Sequence, residues 1–394
     1  MNNITNDIYY IGASDNDVEL FENQYDVPEG MAYNSYVIKD EKIAVLDTID
    51  ERLSDAWLSN LKEVLGSDLP DYLIVSHVEP DHSANIKKFI ETYPDATVVG
   101  NAKTFGLLSQ FYDLEINEDK KLVVAEGTNL SLGSHNLTFA MAPMVHWPEV
   151  MVTYDEKDKV LFAADAFGKF GANNDGLFIE DKEAAEEWCC EARRYYTNIV
   201  GRYGVQVQAL LKKAGALDIE IIAPLHGPVL KAEIPFFIDK YNTWSSYATE
   251  DEGVTLVYAT LHGNTRKAAE YVENILKEKN VKYEMFDLSD CDVAEVIESA
   301  FRYDKMILAS VTYDAGIMPC MMDALYHFKL KNVQNKKIAL IQNGSWAPMS
   351  GKIMREQLET LKNVTILDNM VTIKSSMTEE NKKELDNLVA EILA

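Results

Sequence analysis

The sequence predicts an α/β chain built in two parts, and three observations carry that prediction. The stretch before residue 245 is a succession of short β-rich segments with occasional helices. Beyond residue 253, strand and helix alternate strictly, five times over. Between them "SSYATEDEGVTL" is acidic and poor in apolar residues, as a connection between domains would be. A length of 394 residues also exceeds one ordinary domain. The boundary is therefore placed near residues 248–253, separating a domain over 1–248 from one over 253–394.

In the first part, "NSYVIKDEKIAVLDT" predicts a hairpin turning at Asp40-Glu41. "ERLSDAWLSNLKEVL", "NAKTFGLLSQFY" and "DKEAAEEWCCEARRYYTNIV" carry apolar residues at helical spacing. "YLIVSH", "ATVVG", "KLVVAE", "LTFAMAP", "VMVTYDEKDKVLFAAD" and "IEIIAPLHG" are predicted strands. In the second part "VTLVYA" leads into a helix from about Asn264, and "KYEMFDLS" into "VAEVIESAF". "KMILASVTY" leads into "MPCMMDALYHF", "KKIALIQNG" into "KIMREQLETLK", and "VTILDNMVTI" into "TEENKKELDNLVAEIL". Five strands with helices between them specify a doubly wound parallel sheet.

Composition narrows the function classes. Hydrophobic residues make up 47% and aromatics 10%, enough for sizeable cores. A formal net charge of −27 argues against nucleic acid and against an anionic membrane surface, both of which need clustered Lys and Arg. No apolar run approaches the ~18 residues of a membrane-spanning helix. The N-terminus has no basic residue before Lys39, which argues against a signal peptide and for the cytoplasm. The four cysteines, Cys189, Cys190, Cys291 and Cys320, form no CxxC pair. A disulfide framework, a thiolate zinc site and a built-in rubredoxin-type centre are therefore unsupported.

Chemistry concentrates in "SHVEPDHSAN", where His77, Glu79, Asp81 and His82 fall within six positions directly behind an apolar strand. Four ligand-type groups can converge from one such loop. Three more stand at strand ends: His146 in "MAPMVHWPE", Asp165 in "VLFAADAFG" and His226 in "IIAPLHGP". Singly, each is an ordinary hydrogen-bonded core residue; together the seven suffice for two metals sharing one bridging carboxylate. The order resembles the metallo-β-lactamase superfamily, whose αββα sandwich the first domain is then expected to adopt. Its hydrolase branch typically has His where this chain has Glu79. Three carboxylates and four imidazoles, without Cys, suit redox-active iron and give zinc no special advantage.

A second constellation opens the second domain. In "VYATLHGNTRKAAEYV" a strand ends at Ala259, Thr260 to Asn264 turn, and a helix follows. Such a helix start is an anion site as well as a natural cap. The loop matches neither a dinucleotide nor an NTP fingerprint. "SVTYDAGIMP" and "NGSWAPMSGK" follow two later strands at the edge where open α/β sheets bind ligands. The three loops together resemble a flavodoxin. That resemblance assigns FMN-phosphate contacts to Thr260, His262, Gly263, Asn264 and Thr265. It places Thr312, Tyr313, Asp314, Ala315 and Gly316 beside the isoalloxazine, flanked by Asn343, Gly344, Ser345 and Trp346, with Trp346 as the stacking ring.

A lactamase-like domain with Glu79 in its motif, followed by a flavodoxin-like domain, resembles the flavodiiron proteins. "EARRYYTNIV" and "APLHGPVL" also resemble that family. The resemblance implies a cytoplasmic oxidoreductase reducing dioxygen to water, nitric oxide to nitrous oxide, or both, with two irons and FMN. It assigns one iron to His77, Glu79 and His146, the other to Asp81, His82 and His226, and the bridge to Asp165. Tyr195 or Tyr196 would offer a hydroxyl to substrate. A separate rubredoxin or flavin reductase would supply electrons, and the family's head-to-tail homodimer, or a pair of such dimers, would join flavin to iron. The rivals are a primarily nitric oxide reducing enzyme, a dizinc hydrolase with a flavodoxin appendage, and a flavin electron carrier with a vestigial metal site.

Overall fold

The structure is a computed structural model describing residues 2–394. Two compact units emerge. One comprises the chain up to Tyr196 together with Tyr203–Asn242, the other Thr197–Arg202 together with Thr243–Ala394.

The first unit contains two seven-stranded sheets. One runs in the order Asn2–Asn3, Ile8–Tyr10, Tyr36–Lys39, Ile43–Leu46, Tyr72–Ile74, Thr97–Gly100, Lys121–Val123. The other runs Asn129–Ser131, Asn136–Met141, Met151–Asp155, Val160–Phe162, Ile221–Ala223, Val229–Leu230, Phe178–Ile179. The Asp40-Glu41 hairpin forms as expected, with Lys39 opposite Ile43. Both sheets feed one apolar core, in which Ile38, Leu46, Ile74 and Val99 pack with Phe139, Met151, Phe162 and Ala223. Each such fully buried Val, Leu, Ile, Met or Phe side chain contributes roughly 1.5–3 kcal/mol. Period-two patterning sets the faces, with Leu137 and Phe139 buried on either side of half-buried Thr138. The helix Ser54–Leu65 buries Trp57, Leu58, Leu61 and Leu65, one stripe at helical spacing.

"DKEAAEEWCCEARRYYTNIV" does not form one continuous helix. An α-helix over Lys182–Tyr195 gives way to a π-helical turn over Tyr196–Val200. There Asn198 donates from Nδ2 to the Ala294 carbonyl at 3.1 Å, a bond made within the second unit.

The second unit holds a five-stranded parallel sheet in the order Tyr283–Asp287, Asp251–Ala259, Tyr303–Val311, Lys337–Asn343, Thr365–Ile373. Helices cover both faces. Val296, Met321, Phe328 and Met354 pack on one, and Val272, Leu276, Leu385 and Ile392 on the other. The first strand starts at Asp251, inside the stretch expected to be a connection. Lys282 and Arg302 grip Asp251 at 2.7 and 2.9 Å, and a register shift between Asp251 and Val254 absorbs the irregularity. The strand order reverses beside Asp251–Ala259, so the carboxyl ends at Ala259 and Val311 flank a crevice.

Candidate functional site

The first site is assembled from loops that follow strands. Behind Tyr72–Ile74 the chain is pinned by Asp47, whose Oδ1 accepts the N–H groups of Ser76 (2.7 Å) and His77 (3.3 Å). Glu79 is extended (φ −54°, ψ 140°), and Pro80 then opens the short helix Pro80–Ser83, which turns Asp81 and His82 back towards His77. His146, Asp165 and His226 follow the strands Asn136–Met141, Val160–Phe162 and Ile221–Ala223. Met144 (φ 64°) and Ala164 (φ 50°) make the sharp reversals that aim the first two.

All seven residues converge in two clusters, His77, Glu79, His146 and Asp165 in one and Asp81, His82 and His226 in the other. In the first, Glu79 Oε2 lies 3.2 Å from His77 Nε2 and 3.0 Å from His146 Nε2. In the second, Asp81 Oδ2 lies 3.4 Å from His82 Nε2 and 3.3 Å from His226 Nε2. Asp165 spans both. Its Oδ2 faces His146 (3.1 Å) and His77 (3.4 Å), and its Oδ1 faces His82 (3.1 Å) and His226 (3.7 Å).

These contacts fit metal ions better than hydrogen bonds. His82 Nε2 and His226 Nε2 face each other at 3.1 Å, and both oxygens of buried Asp81 lack a hydrogen-bond partner. Two ligands at ~2.1 Å from one ion and at a right angle to each other would stand ~3 Å apart. That is the spacing seen. Without a cation, protons would carry the compensating charge. Burial opposes the charged imidazoles, but the carboxylates outweigh it, holding His77 well above the ordinary histidine value and raising His146 to about 9. Burial likewise opposes the charge on Glu79 and Asp165, and their histidines outweigh it, keeping both carboxyls well below the ordinary range.

The two tyrosines separate. Tyr195 lies with its ring centroid 5.6 Å from His226, its buried hydroxyl without a partner. Burial, then the Asp165 charge, holds that hydroxyl protonated. Tyr196 instead packs edge-on against Tyr241 at 5.0 Å. Aromatic rings wall the cluster: Phe21 and Tyr33 against His226, and Trp147 against His77. Sequence reasoning missed Glu149, which is fully buried and 2.7 Å from His77 Nδ1. Its signal was an acid in "HWPE", three residues past His146. Glu22 was missed as well. It sits exposed at the turn between Leu20–Phe21 and Tyr25–Asp26, and partial desolvation with the Glu79 charge raises its carboxyl above the ordinary range.

The second site is a crevice of about 480 Å³ in the second unit, within the range of cofactor pockets. Of the residues named for flavin, Thr260, His262, Asn264, Thr265, Thr312, Asp314, Ala315, Asn343, Gly344, Ser345 and Trp346 line it. Gly263, Tyr313 and Gly316 do not. Gly263 (φ 83°) caps the helix Asn264–Glu278 and donates its N–H to Thr260 Oγ1 at 3.0 Å. Gly316 closes a turn by donating to the Tyr313 carbonyl at 2.7 Å. Leu261, Val311, Ala347 and Ser375 join the lining unforeseen. Ser375 follows the fifth strand at the same sheet edge and is held by two bonds to Asn343, each 3.0 Å. The pocket fits a phosphate-bearing aromatic cofactor. Thr265 Oγ1 is buried there without a partner at a helix start, and Trp346 is 92% exposed.

The family model described as "ODP family beta lactamase" matches residues 31–227, half of the chain. The chain belongs to that family. A model for flavodoxin matches residues 256–385 behind it, which completes the flavodiiron domain order. The nitric oxide reductase of Moorella thermoacetica is 29% identical, over 94% of this chain and 92% of that protein. Among solved structures, the flavodiiron protein from Giardia intestinalis superposes with a TM-score of 0.93 at 24% identity, covering 99% of this chain and 95% of that one. Rubredoxin oxygen:oxidoreductase from the anaerobe Desulfovibrio gigas superposes with a TM-score of 0.91 at 24% identity, over 99% and 97%. This family member thus shares both halves of its fold with them. No helix among its described residues is long and apolar enough to cross a membrane.

Proposed function

We propose that the chain is a cytoplasmic flavodiiron oxidoreductase reducing dioxygen to water, with nitric oxide reduction to nitrous oxide as the second activity the same site fits. The observation that carries this reading is the convergence of seven ligand atoms into two clusters that share Asp165. The relatives' names, nitric oxide reductase and rubredoxin oxygen:oxidoreductase, support the two gases. When bound, the irons supply the binding position and redox chemistry for the gas, and FMN relays electrons from a rubredoxin or flavin reductase.

The chain's own groups have distinct tasks. His77, Glu79 and His146 would hold one iron and Asp81, His82 and His226 the other, with Asp165 placed to reach both. Tyr195 keeps a protonated hydroxyl beside the clusters, a donor placed for a bound diatomic; Tyr196 is packing. Thr265 and the start of its helix would receive the flavin phosphate, and exposed Trp346 would offer a stacking surface for the ring. The functional parts are residues 1–248 and 253–394.

After iron-replete expression the purified protein should carry about two irons and one FMN per chain and turn over dioxygen with a reduced donor. Mainly zinc, with neither gas consumed, would overturn the reading in favour of a hydrolase. Electron transfer is proposed across a head-to-tail homodimer. Mixing a diiron-dead chain (Asp81→Asn with His146→Ala) and a flavin-dead chain (Thr260→Ala with Thr265→Ala) should then restore activity. Inactive mixed dimers would sink the cross-subunit route.

A further inference from the structure

The imidazoles of the two clusters are held from behind in different ways. His226 Nδ1 lies 2.8 Å from the Ala32 carbonyl, and His82 Nδ1 is buried without a hydrogen-bond partner. His77 Nδ1 alone among these meets a carboxylate, Glu149 Oε1 at 2.7 Å. Glu149 is fully buried, and its other oxygen has no partner. The residue is fixed at both ends, since its backbone carbonyl accepts from Asn101 Nδ2 and its Oε1 also accepts the Val78 N–H at 2.9 Å.

That geometry settles the tautomer. A carboxylate only accepts, so at 2.7 Å the proton belongs to His77 Nδ1. The Val78 N–H, 3.1 Å from Nδ1 and 2.9 Å from Oε1, is then directed to the oxygen. With a cation bound, His77 Nε2 would give up its proton and present its lone pair on the side where Glu79 and Asp165 stand. A neutral amide would hold the ring at a smaller desolvation cost than a buried carboxylate with one bare oxygen. What the carboxylate adds is basicity: it strengthens Nε2 as a donor more than a backbone carbonyl does.

We infer that Glu149 is a positioning residue that locks His77 as an Nε2 donor and makes the His77–Glu79–His146 cluster the tighter of the two cation sites. This rests on the metal-site reading proposed above. The test is Co²⁺ titration of the metal-stripped full chain, followed by its visible absorption. Wild type should take up two equivalents in order, the tighter one at the His77 cluster. Glu149→Gln keeps the volume and an acceptor for Val78, so a merely structural role would leave uptake unchanged. We expect instead that the first, tighter step weakens roughly 10–100-fold while the second holds its affinity, and a loss confined to the second step overturns the inference. Two unaltered steps, or two steps weakened alike, overturn the inference. Wild type binding fewer than two equivalents overturns the site reading itself, and this inference with it. Should the variant not fold, ¹⁵N-edited NMR of zinc-loaded wild type decides. A downfield, exchange-protected His77 Nδ1–H is expected, and its absence overturns the assignment.

Discussion

In the first unit seven side chains from loops behind four strands meet at buried clusters, whereas the second unit's crevice is shaped by loop backbone at one sheet edge and stays open to solvent. The metal centre depends on the chemical identity of each residue, since a replaced ligand leaves the others facing one another as uncompensated charges. The flavin-type pocket depends on where the backbone goes, and several of its lining side chains are interchangeable in kind. A single substitution should therefore disable the first site, while the second should need several.

Asp165→Ala breaks that comparison most directly. Its two oxygens address both clusters, so metal should be lost from both and turnover should fall ~10³-fold or more, with flavin content unchanged. Elemental analysis and flavin absorbance read the two sites separately. One full metal equivalent retained would show that Asp165 is not shared.

Next in size is the phosphate loop. Thr260→Ala with Thr265→Ala removes the buried Thr265 hydroxyl and the Thr260 acceptor that folds Gly263 into place. Charge-assisted bonds to phosphate contribute roughly 1.5–3 kcal/mol each, so FMN affinity should drop well over tenfold, with metal content untouched. Flavin retained through gel filtration would contradict the placement.

Tyr195→Phe should lower turnover roughly tenfold without changing either cofactor's content, as a lost donor near developing charge would. Tyr196→Phe should leave turnover near wild type. Equal rates in both variants would remove the hydroxyl from the mechanism.

Why the sequence told so much of one site and less of the other follows from the same contrast. His77, Glu79, Asp81 and His82 stand out because a ligand site is written in residue type, four ligand-type side chains within six positions. Ser375, Leu261 and Ala347 line the crevice through their position at the sheet edge, which no residue type signals. Tyr195 and Tyr196 are adjacent, about 100° apart on a helix, and only the packed orientation of that helix tells them apart. Glu149 contacts His77 from 72 residues away, a distance that local pattern does not bridge. The elements named from apolar periodicity formed, with the bounds of several strands shorter than expected. The helices Ile86–Thr92, Gly204–Ala214 and Ile234–Ser245 and the short strands before residue 34 went unnamed. Among the named elements, Asp251 extends a strand through its ion pairs, while the helix over Lys182–Tyr195 stops short at a π-helical turn.

The smallest effect concerns a third group in the first unit, His135, Asp155 and Asp158, which holds the same residue types. His135 Nδ1 lies 3.0 Å from Asp155, and its Nε2 lies 3.4 Å from Asp7. Lys157 Nζ stands 3.1 Å from that Nε2 and also grips Asp7, and Asp40 accepts the His135 N–H at 2.6 Å. Lys157 and His135 already answer the charges of Asp7 and Asp155, so this group should act as an ion-paired clasp between the N-terminal segment and the strand Met151–Asp155 and should bind no metal. Burial opposes charge on His135, but Asp155 outweighs it and raises the histidine above its ordinary value. A raised folded-state pKa stabilises the fold fully below the unfolded value of about 6.5, and that stabilisation fades as pH climbs through the folded value. The stability difference between wild type and His135→Gln should be about 1 kcal/mol at pH 6, the order of one net charge-assisted hydrogen bond, and should shrink towards pH 9. Urea unfolding of the metal-loaded protein at several pH values measures it. A difference that grows with pH would mean that neutral His135 is the stabilising form and that the clasp is not ionic.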